Sequence, residues 1–207
     1  MKANEIKIIF IKWLLKKYPS SIIGNEVLFS NHQYRTDILQ ILSNKTHAYE
    51  IKSDSDNLEN IDQQLQNYLE TFDYTSLIFT EKYSNEKINK IDNMVGLYLI
   101  TKDKKIKKIR QAKISHQIKK ENLLCFLHKK ELINILNEKG LSQLSVFELR
   151  KNARKIPLNI IKTASIDILT HRYSKLLKLF LLDTNGQVIT EDDLKSLTGN
   201  ILTDIIE

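Results

Sequence analysis

Residues 35–56 read RTDILQILSNKTHAYEIKSDSD, and the pairing of the two halves of this stretch decides the fold. The runs YRTDILQIL (34–42) and THAYEIK (46–52) flank the polar cluster Ser43-Asn44-Lys45-Thr46, so they read as two strands of a hairpin joined by a tight turn. Side chains two positions apart on a strand share a face. Glu50 and Lys52 therefore project together, while Tyr49 and Ile51 point the other way. A two-residue loop at 43 and 44 sets Asp37 opposite Glu50, and a four-residue loop sets it opposite Lys52. Either register brings Asp37, Glu50 and Lys52 to one face.

Two facing carboxylates repel and raise each other's pKa unless a lysine or a cation relieves them. Hard oxygen ligands suit Mg2+ or Mn2+. Such an ion polarises a phosphoryl oxygen and acidifies a water, and a lysine ammonium beside it steadies the developing charge. Phosphodiester hydrolysis uses all three groups. Spacing alone is equally met by a charge pair on a solvated sheet face, so the residues around the trio have to carry the distinction.

Downstream, YEIKSDSDNLENIDQQLQNYLETFD (49–73) continues into an amphipathic helix with Leu58, Ile61, Leu65, Leu69 and Phe72 as its apolar stripe and Gln64 and Tyr68 at its edge. Asp37, Glu50-x-Lys52 and then Gln64 resemble the PD-(D/E)XK nuclease superfamily. More closely, Glu50 to Asp54, Asp56, Leu58, Gln64, Tyr68 and Phe72-Asp73 are similar to a group of small bacterial proteins in that superfamily with an EIKSD-x-D-x-L run. Arg35-Thr36-Asp37 takes the place of that group's Arg-x-Asp. The resemblance implies a restriction-endonuclease-like α/β core, a central mixed sheet flanked by helices. It also implies Asp37 and Glu50 as metal ligands, Glu26 as a further acidic ligand, Lys52 as the catalytic lysine and Gln64 as an auxiliary residue. Thr36 stands where the superfamily usually has Pro, and Asn60 where the closer group often has a basic residue. Asp56 with Glu59 reads as the cap of the helix, which leaves Asp54 and Asp56 as loop residues.

The rest of the chain frames this centre. Ile6, Ile9, Phe10, Trp13 and Leu14 recur at helical spacing, and Lys12 interrupts the run, so the N-terminus reads as an amphipathic helix over 3–18 and not as a targeting segment. Strands are expected near 26–30, 34–42, 46–52, 76–80 and 96–101, with a short one around 106–110, and helices over 57–71 and near 84–92. Beyond residue 112 helical patterns take over: ENLLCFLHKKELINILNEKG closed by Gly140, SVFELRKNARKI, and a long helix from about 158 to 182. This divides the chain into a core over 1–112 and a basic C-terminal α-helical extension over 113–207. The lone Cys125 excludes a disulfide framework and points to a reducing, cytoplasmic setting. His32, His47, His116, His128 and His171 show no zinc-ligand spacing, and no apolar stretch approaches the roughly 20 residues of a membrane span. Nothing in the sequence indicates an oligomer.

Charge is unevenly spread: residues 1–100 are net −2, residues 101–180 net +14 and residues 181–207 net −5. A basic helical section beside an acidic centre suits a phosphate-backbone substrate, because lysines and arginines bind it by releasing counterions. Arg150, Lys151, Arg154 and Lys155 form i, i+4 pairs and are the expected nucleic-acid-binding patch, with Lys104, Lys105, Lys107, Lys108 and Arg110 as a second basic cluster. These readings combine into an expected Mg2+- or Mn2+-dependent nuclease hydrolysing DNA. An RNA-cleaving nuclease of toxin or defence type and a non-catalytic nucleic-acid-binding module are the alternatives.

Overall fold

The computed structural model describes residues 1–30, 33–83, 86–138, 140–185 and 188–199. At its centre is a six-stranded mixed sheet of β1 (Ile22–Phe29), β2 (Tyr34–Leu42), β3 (Lys45–Lys52), β4 (Tyr74–Thr80), β5 (Gly96–Ile100) and β6 (Ile106–Arg110), in spatial order 1-2-3-4-5-6. The first three strands are mutually antiparallel, β3–β4 and β4–β5 are parallel, and β6 returns antiparallel. Helix α2 (Ile61–Leu69) makes the crossover between the parallel strands β3 and β4, and the short α3 (Glu86–Asn89) lies in the next one. The first positions of the helix expected at 84–92 fall outside the described residues.

Ser43 and Asn44 both have left-handed backbone, φ 51° and 54°, which is what a two-residue hairpin turn that matches strand twist requires. The register follows: Ile38 pairs with Tyr49 and Leu42 with Lys45. Continued by one position, this pairing sets Asp37 opposite Glu50, the first of the two expected registers.

Helix α1 (Ala3–Lys17) covers one face of the sheet through Ile6, Phe10, Ile11 and Leu14, which pack with Ile38, Tyr49, Ile51, Ile78, Tyr98 and Ile100. On the other face α2 packs against Leu77, Phe79 and Leu97. The helices after the sheet are α4 (Lys120–Leu124), α5 (Lys129–Leu136), α6 (Val146–Ala153), α7 (Leu158–Asp183) and α8 (Asp193–Ser196). They do not form a separate body: Leu123, Leu124, Phe126, Leu127, Leu149, Ile161 and Leu169 share one core with Val27, Phe29, Leu39, Ile41 and Phe72. The break at residue 112 is thus a change of secondary structure inside a continuous core, where truncating a fully buried Phe72 would cost about 3–5 kcal/mol.

Helix α7 runs along β1. Its Tyr173 ring closes on Gly24, where a Cβ would lie 2.8 Å from the ring, so only glycine permits the approach. The β1 edge is further covered by α8 and the residue that follows it, since Asn25 N donates to Leu197 O (2.9 Å) and Asn25 Nδ2 to Leu194 O (3.0 Å). At the opposite edge Lys107 and Lys108 are exposed on β6, where charge discourages edge-to-edge pairing.

Three departures from the expected boundaries stand out. Strand β1 begins at Ile22, ahead of the expected position 26, because Ile23 and Gly24 pair with Gln40 and Leu39. Helix α2 begins at Ile61 and ends at Leu69, inside the expected 57–71. Asp56 does not cap it: Asp56 Oδ2 instead accepts from Ser53 N (2.7 Å) and Ser53 Oγ (2.6 Å), closing a turn just after β3. The single helix expected over 121–140 is two. The backbone N–H of His128 donates to Glu131 (3.0 Å) and starts α5. Asn137, at φ 51°, ends it before Gly140 is reached, and Gly140 (φ 79°) leads into a short 3-10 turn.

Candidate acidic centre at the splayed ends of β2 and β3

The hairpin ladder stops at Ile38–Tyr49, and at this point the strands part. The freed backbone N–H of Ile51 donates to Asp37 Oδ2 at 2.8 Å, while Thr36 Oγ1 donates to Ile38 O and Tyr49 O (3.1 and 3.3 Å). On the other side of β2, the pairs Asn25–Ile38 and Val27–Thr36 bracket Glu26 and Asp37 and set them opposite one another. Glu26, Asp37 and Glu50 therefore follow one another across three neighbouring strands. Lys52 sits two residues beyond Glu50 at the carboxyl end of β3.

Each carboxylate has its own protein donors. Lys52 Nζ lies 2.9 Å from Glu50 Oε1 and donates to Gln64 Oε1 at 2.7 Å. The Tyr68 hydroxyl donates to Glu50 Oε2 at 2.6 Å, with Arg35 O as its second acceptor at 2.9 Å. Lys7, on α1, pairs with Glu26 Oε1 and stands 3.1 Å from Asp37 Oδ1. Arg35 Nη1 takes Glu26 Oε2 at 3.2 Å.

Glu50, Lys52, Lys7 and Tyr68 are buried, whereas Asp37 and Glu26 remain about a quarter open to solvent. Burial holds the Glu50 carboxyl above the usual carboxylate range and the Asp37 charge adds to the rise, against the opposing pull of Lys52 and Tyr68. Burial, with Glu50 and Asp37 alongside, pushes the Tyr68 phenol well above its ordinary value. A buried acid facing a second acid gains most from an added cation. Asp37 and Glu50 are of the right type to hold Mg2+ or Mn2+, although among the described residues no three His, Cys, Asp or Glu side chains are gathered closely enough to form a ready metal cage.

Lys52 and Gln64 open onto a polar recess of about 280 Å³, completed by Ser55, Asp56, Asn57 and Asn60. The loop lining it is pinned: Thr80 Oγ1 donates to Asp54 Oδ1 (2.6 Å), the N-terminal ammonium pairs with Asp54 Oδ2, and the Tyr83 hydroxyl donates to Ser53 O (2.9 Å). Asp54 is thus a loop-holding residue, as expected, and Asp56 holds the same loop in place of capping the helix.

The structure brings Asp37, Glu50, Lys52, Gln64 and Glu26 together and leaves the basic patch elsewhere. Arg150 is half-buried and donates to Leu124 O and Cys125 O (3.2 Å each), the carbonyls at the end of α4. Arg154 faces Glu121 (3.7 Å) and Lys155 pairs with Glu138 (2.6 Å), while Lys151 is exposed and among the described residues has no ion-pair partner. In the second cluster Lys104 pairs with Glu5 and Lys105 with Asp103, and Arg110 ties down the carbonyls of Val95 and Asp92. His47 is a core residue stacked on Tyr49 at 4.1 Å between ring centroids, and His32 lies outside the described residues.

Two residues of the centre escape a reading of spacing. Lys7 shares a helical stripe with Phe10, Ile11 and Leu14, and a lysine on the buried face of an amphipathic helix was the available signal. Tyr68 stands on α2 at i+4 from Gln64, which marks it as a neighbour but not as the Glu50 donor.

These features define a mixed α/β protein with a charged, largely buried centre where two strands part. The family model of bacteriophage P4 protein cII matches residues 1–198. Protein cII of Enterobacteria phage P4 is 30% identical over 207 residues, which cover 96% of this chain and 78% of that protein. The chain belongs to the bacteriophage P4 cII family. A protein of unknown function from Silicibacter pomeroyi, of solved structure, aligns over 59% of this chain and 80% of its own with a TM-score of 0.44 and 14% identity. No helix among the described residues is long and apolar enough to cross a membrane.

Proposed function

We propose that the protein is a metal-dependent phosphodiesterase acting on DNA in the cytoplasm, built on a restriction-endonuclease-like core. The observation that carries this reading is the row Glu26–Asp37–Glu50 at the parting of β2 and β3, with Lys52 held between Glu50 and Gln64. Asp37 and Glu50 would hold a divalent cation, Mg2+ or Mn2+, whose chemistry when bound is to polarise the phosphoryl group and acidify a water.

The chain's own residues supply the rest. The Ile51 N–H fixes one oxygen of Asp37, and Tyr68 fixes one of Glu50, so both acids are oriented before substrate arrives. Gln64 and Glu50 aim the Lys52 ammonium at the polar recess, where it positions the attacking water and offsets charge on the phosphate. Ser55, Asn57 and Asn60 offer uncharged hydrogen-bonding groups to a bound strand there.

A second reading, a nucleic-acid-binding module without cleavage, is favoured by one observation. All four oxygens of Asp37 and Glu50 already face protein donors: Lys7 and Ile51 N on the first, Lys52 and Tyr68 on the second. The test is incubation of purified protein with linear, circular and single-stranded DNA and with RNA, with and without Mg2+ or Mn2+, beside Lys52→Ala and Glu50→Ala. The expected result is cation-dependent cleavage of DNA that both variants lose. A wild type that cleaves nothing, or variants that cleave as well as it does, overturns the catalytic reading, and cleavage of RNA alone moves the substrate class.

A further inference from the structure

A lysine with only 3% of its surface exposed requires negative partners, because an unpaired buried ammonium is strongly disfavoured. Lys7 finds them in Glu26 Oε1 and Asp37 Oδ1, two oxygens on opposite sides of the β1–β2 pair. The ammonium thus lies between two carboxylates that the sheet register sets face to face, which is the position that a cation bridging them would take. Glu26 enters this arrangement from a left-handed backbone, φ 53°, where the β1–β2 ladder skips it. Such a conformation is unfavourable for a residue with a side chain and persists where the surroundings compensate it. With Arg35 on the outer oxygen of Glu26 and Lys52 on Glu50, the row of three acids faces three protein cations.

We propose that the Lys7 ammonium is a built-in counter-ion occupying the cation position between Glu26 and Asp37. Glu26 is then a ligand of lysine and not of metal, and the centre admits one divalent cation, on the Asp37 and Glu50 side. This rests on reading the row as a cation-binding centre, and it assigns Lys7 as a positioning residue that holds Asp37 in place. A helix on the far face of the sheet therefore sets the metal count of the centre.

The experiment is a titration of the metal-free full-length protein with Mn2+, followed by the electron paramagnetic resonance of the free ion, so that binding is counted without any turnover. Wild type and Glu26→Gln are expected to bind one Mn2+ ion with the same affinity. Lys7→Met is expected to gain a second ion, or to bind the first about ten-fold more tightly, and Lys7→Met with Glu26→Gln is expected to lose that gain. Lys7→Arg, which keeps the charge, should match wild type. Circular dichroism checks that each variant is folded, and if Lys7→Met is not, Glu26→Gln decides.

A loss of about ten-fold in Mn2+ affinity in Glu26→Gln overturns the proposal, as does a folded Lys7→Met that binds like wild type. The two readings fail separately. A wild type that binds Mn2+ as stated and cleaves no nucleic acid removes the nuclease reading and leaves Lys7 where we place it. A cleaving wild type whose Glu26→Gln variant loses Mn2+ affinity does the reverse.

Discussion

Glu50 and Asp73 are both buried acids on one side of the same sheet, about 13 Å apart along β3, yet they are solvated by the protein in opposite ways. Asp73, with no exposed surface, receives Thr46 N (3.0 Å), Thr46 Oγ1 (3.1 Å) and Lys162 of α7, with Lys45 at 3.6 Å. Its own backbone N–H returns a bond to Thr46 Oγ1 (3.0 Å). Glu50 receives only Tyr68 and Lys52, and it faces Asp37. The difference separates a structural acid from one held at a cost: the first is satisfied by neighbours that folding brings, and the second keeps a raised pKa that a further cation would relieve. Asp73 also explains why Phe72-Asp73 follows the centre in sequence. Through Lys162 it pins α7 to the start of β3 and so joins the C-terminal helices to the sheet.

The contrast can be broken or sharpened by substitution. Lys52→Ala should have the largest effect, lowering the rate of DNA cleavage about 10²–10³-fold in single-turnover assays of protein that circular dichroism shows to be folded. An equally active variant would show that Lys52 is only a counter-ion. Asp73→Ala should do the opposite. It strands Lys162 and the Thr46 N–H, and because Lys162 is about a quarter exposed the cost falls near the low end for a broken buried pair, about 3 kcal/mol by denaturant titration. Mn2+ binding by the folded fraction should be unchanged, and a parallel loss of metal affinity would end the distinction drawn here.

Tyr68→Phe tests the Glu50 side more gently. The ring contacts with Phe29 and Phe72 remain, so the expected stability loss is about 1 kcal/mol. The hydroxyl lowers the Glu50 pKa, so removing it should raise that pKa further, shift the acid limb of the cleavage profile to higher pH and reduce the rate at neutral pH about ten-fold. An unmoved limb would detach Tyr68 from the chemistry. The smallest effect is a slope. Because the folded Glu50 pKa is raised, its stabilising contribution is fully present below the unfolded value of 4.5 and is lost as pH rises through the folded value. Metal-free wild type should therefore lose stability over that window, Mn2+ should restore it, and Glu50→Gln should lack this component. Superimposable pH profiles would remove Glu50 as the strained group.

How much of this was legible depended on whether the deciding forces were local. The Ser43-Asn44 turn is local, so the hairpin is legible, but the sequence leaves two loop lengths open, and the left-handed backbone of Ser43 and Asn44 selects the two-residue loop whose register points Asp37 to Glu50. Lys52 follows from period two along β3, and Gln64 from what the family resemblance implies. The basic run at 150–155 was equally visible as a pattern but did not predict its own partners. Arg150 is consumed by the α4 carbonyls, and Arg154 and Lys155 by Glu121 and Glu138, residues from 17 to 33 positions earlier in the chain. Periodicity does not show the split at His128 or the late start of α2, because these turn on the Glu131 and Asp56 carboxylates accepting from the His128 and Ser53 backbone N–H groups.

By itself the sequence determined the hairpin of β2 and β3 and the face shared by Asp37, Glu50 and Lys52, since these follow from strand period and turn chemistry. Only the tertiary structure decided which charges are matched. It brought Lys7 to Glu26 and Asp37, Tyr68 to Glu50 and Lys162 to Asp73, because the cost of burying a charge is settled by what the rest of the chain places beside it.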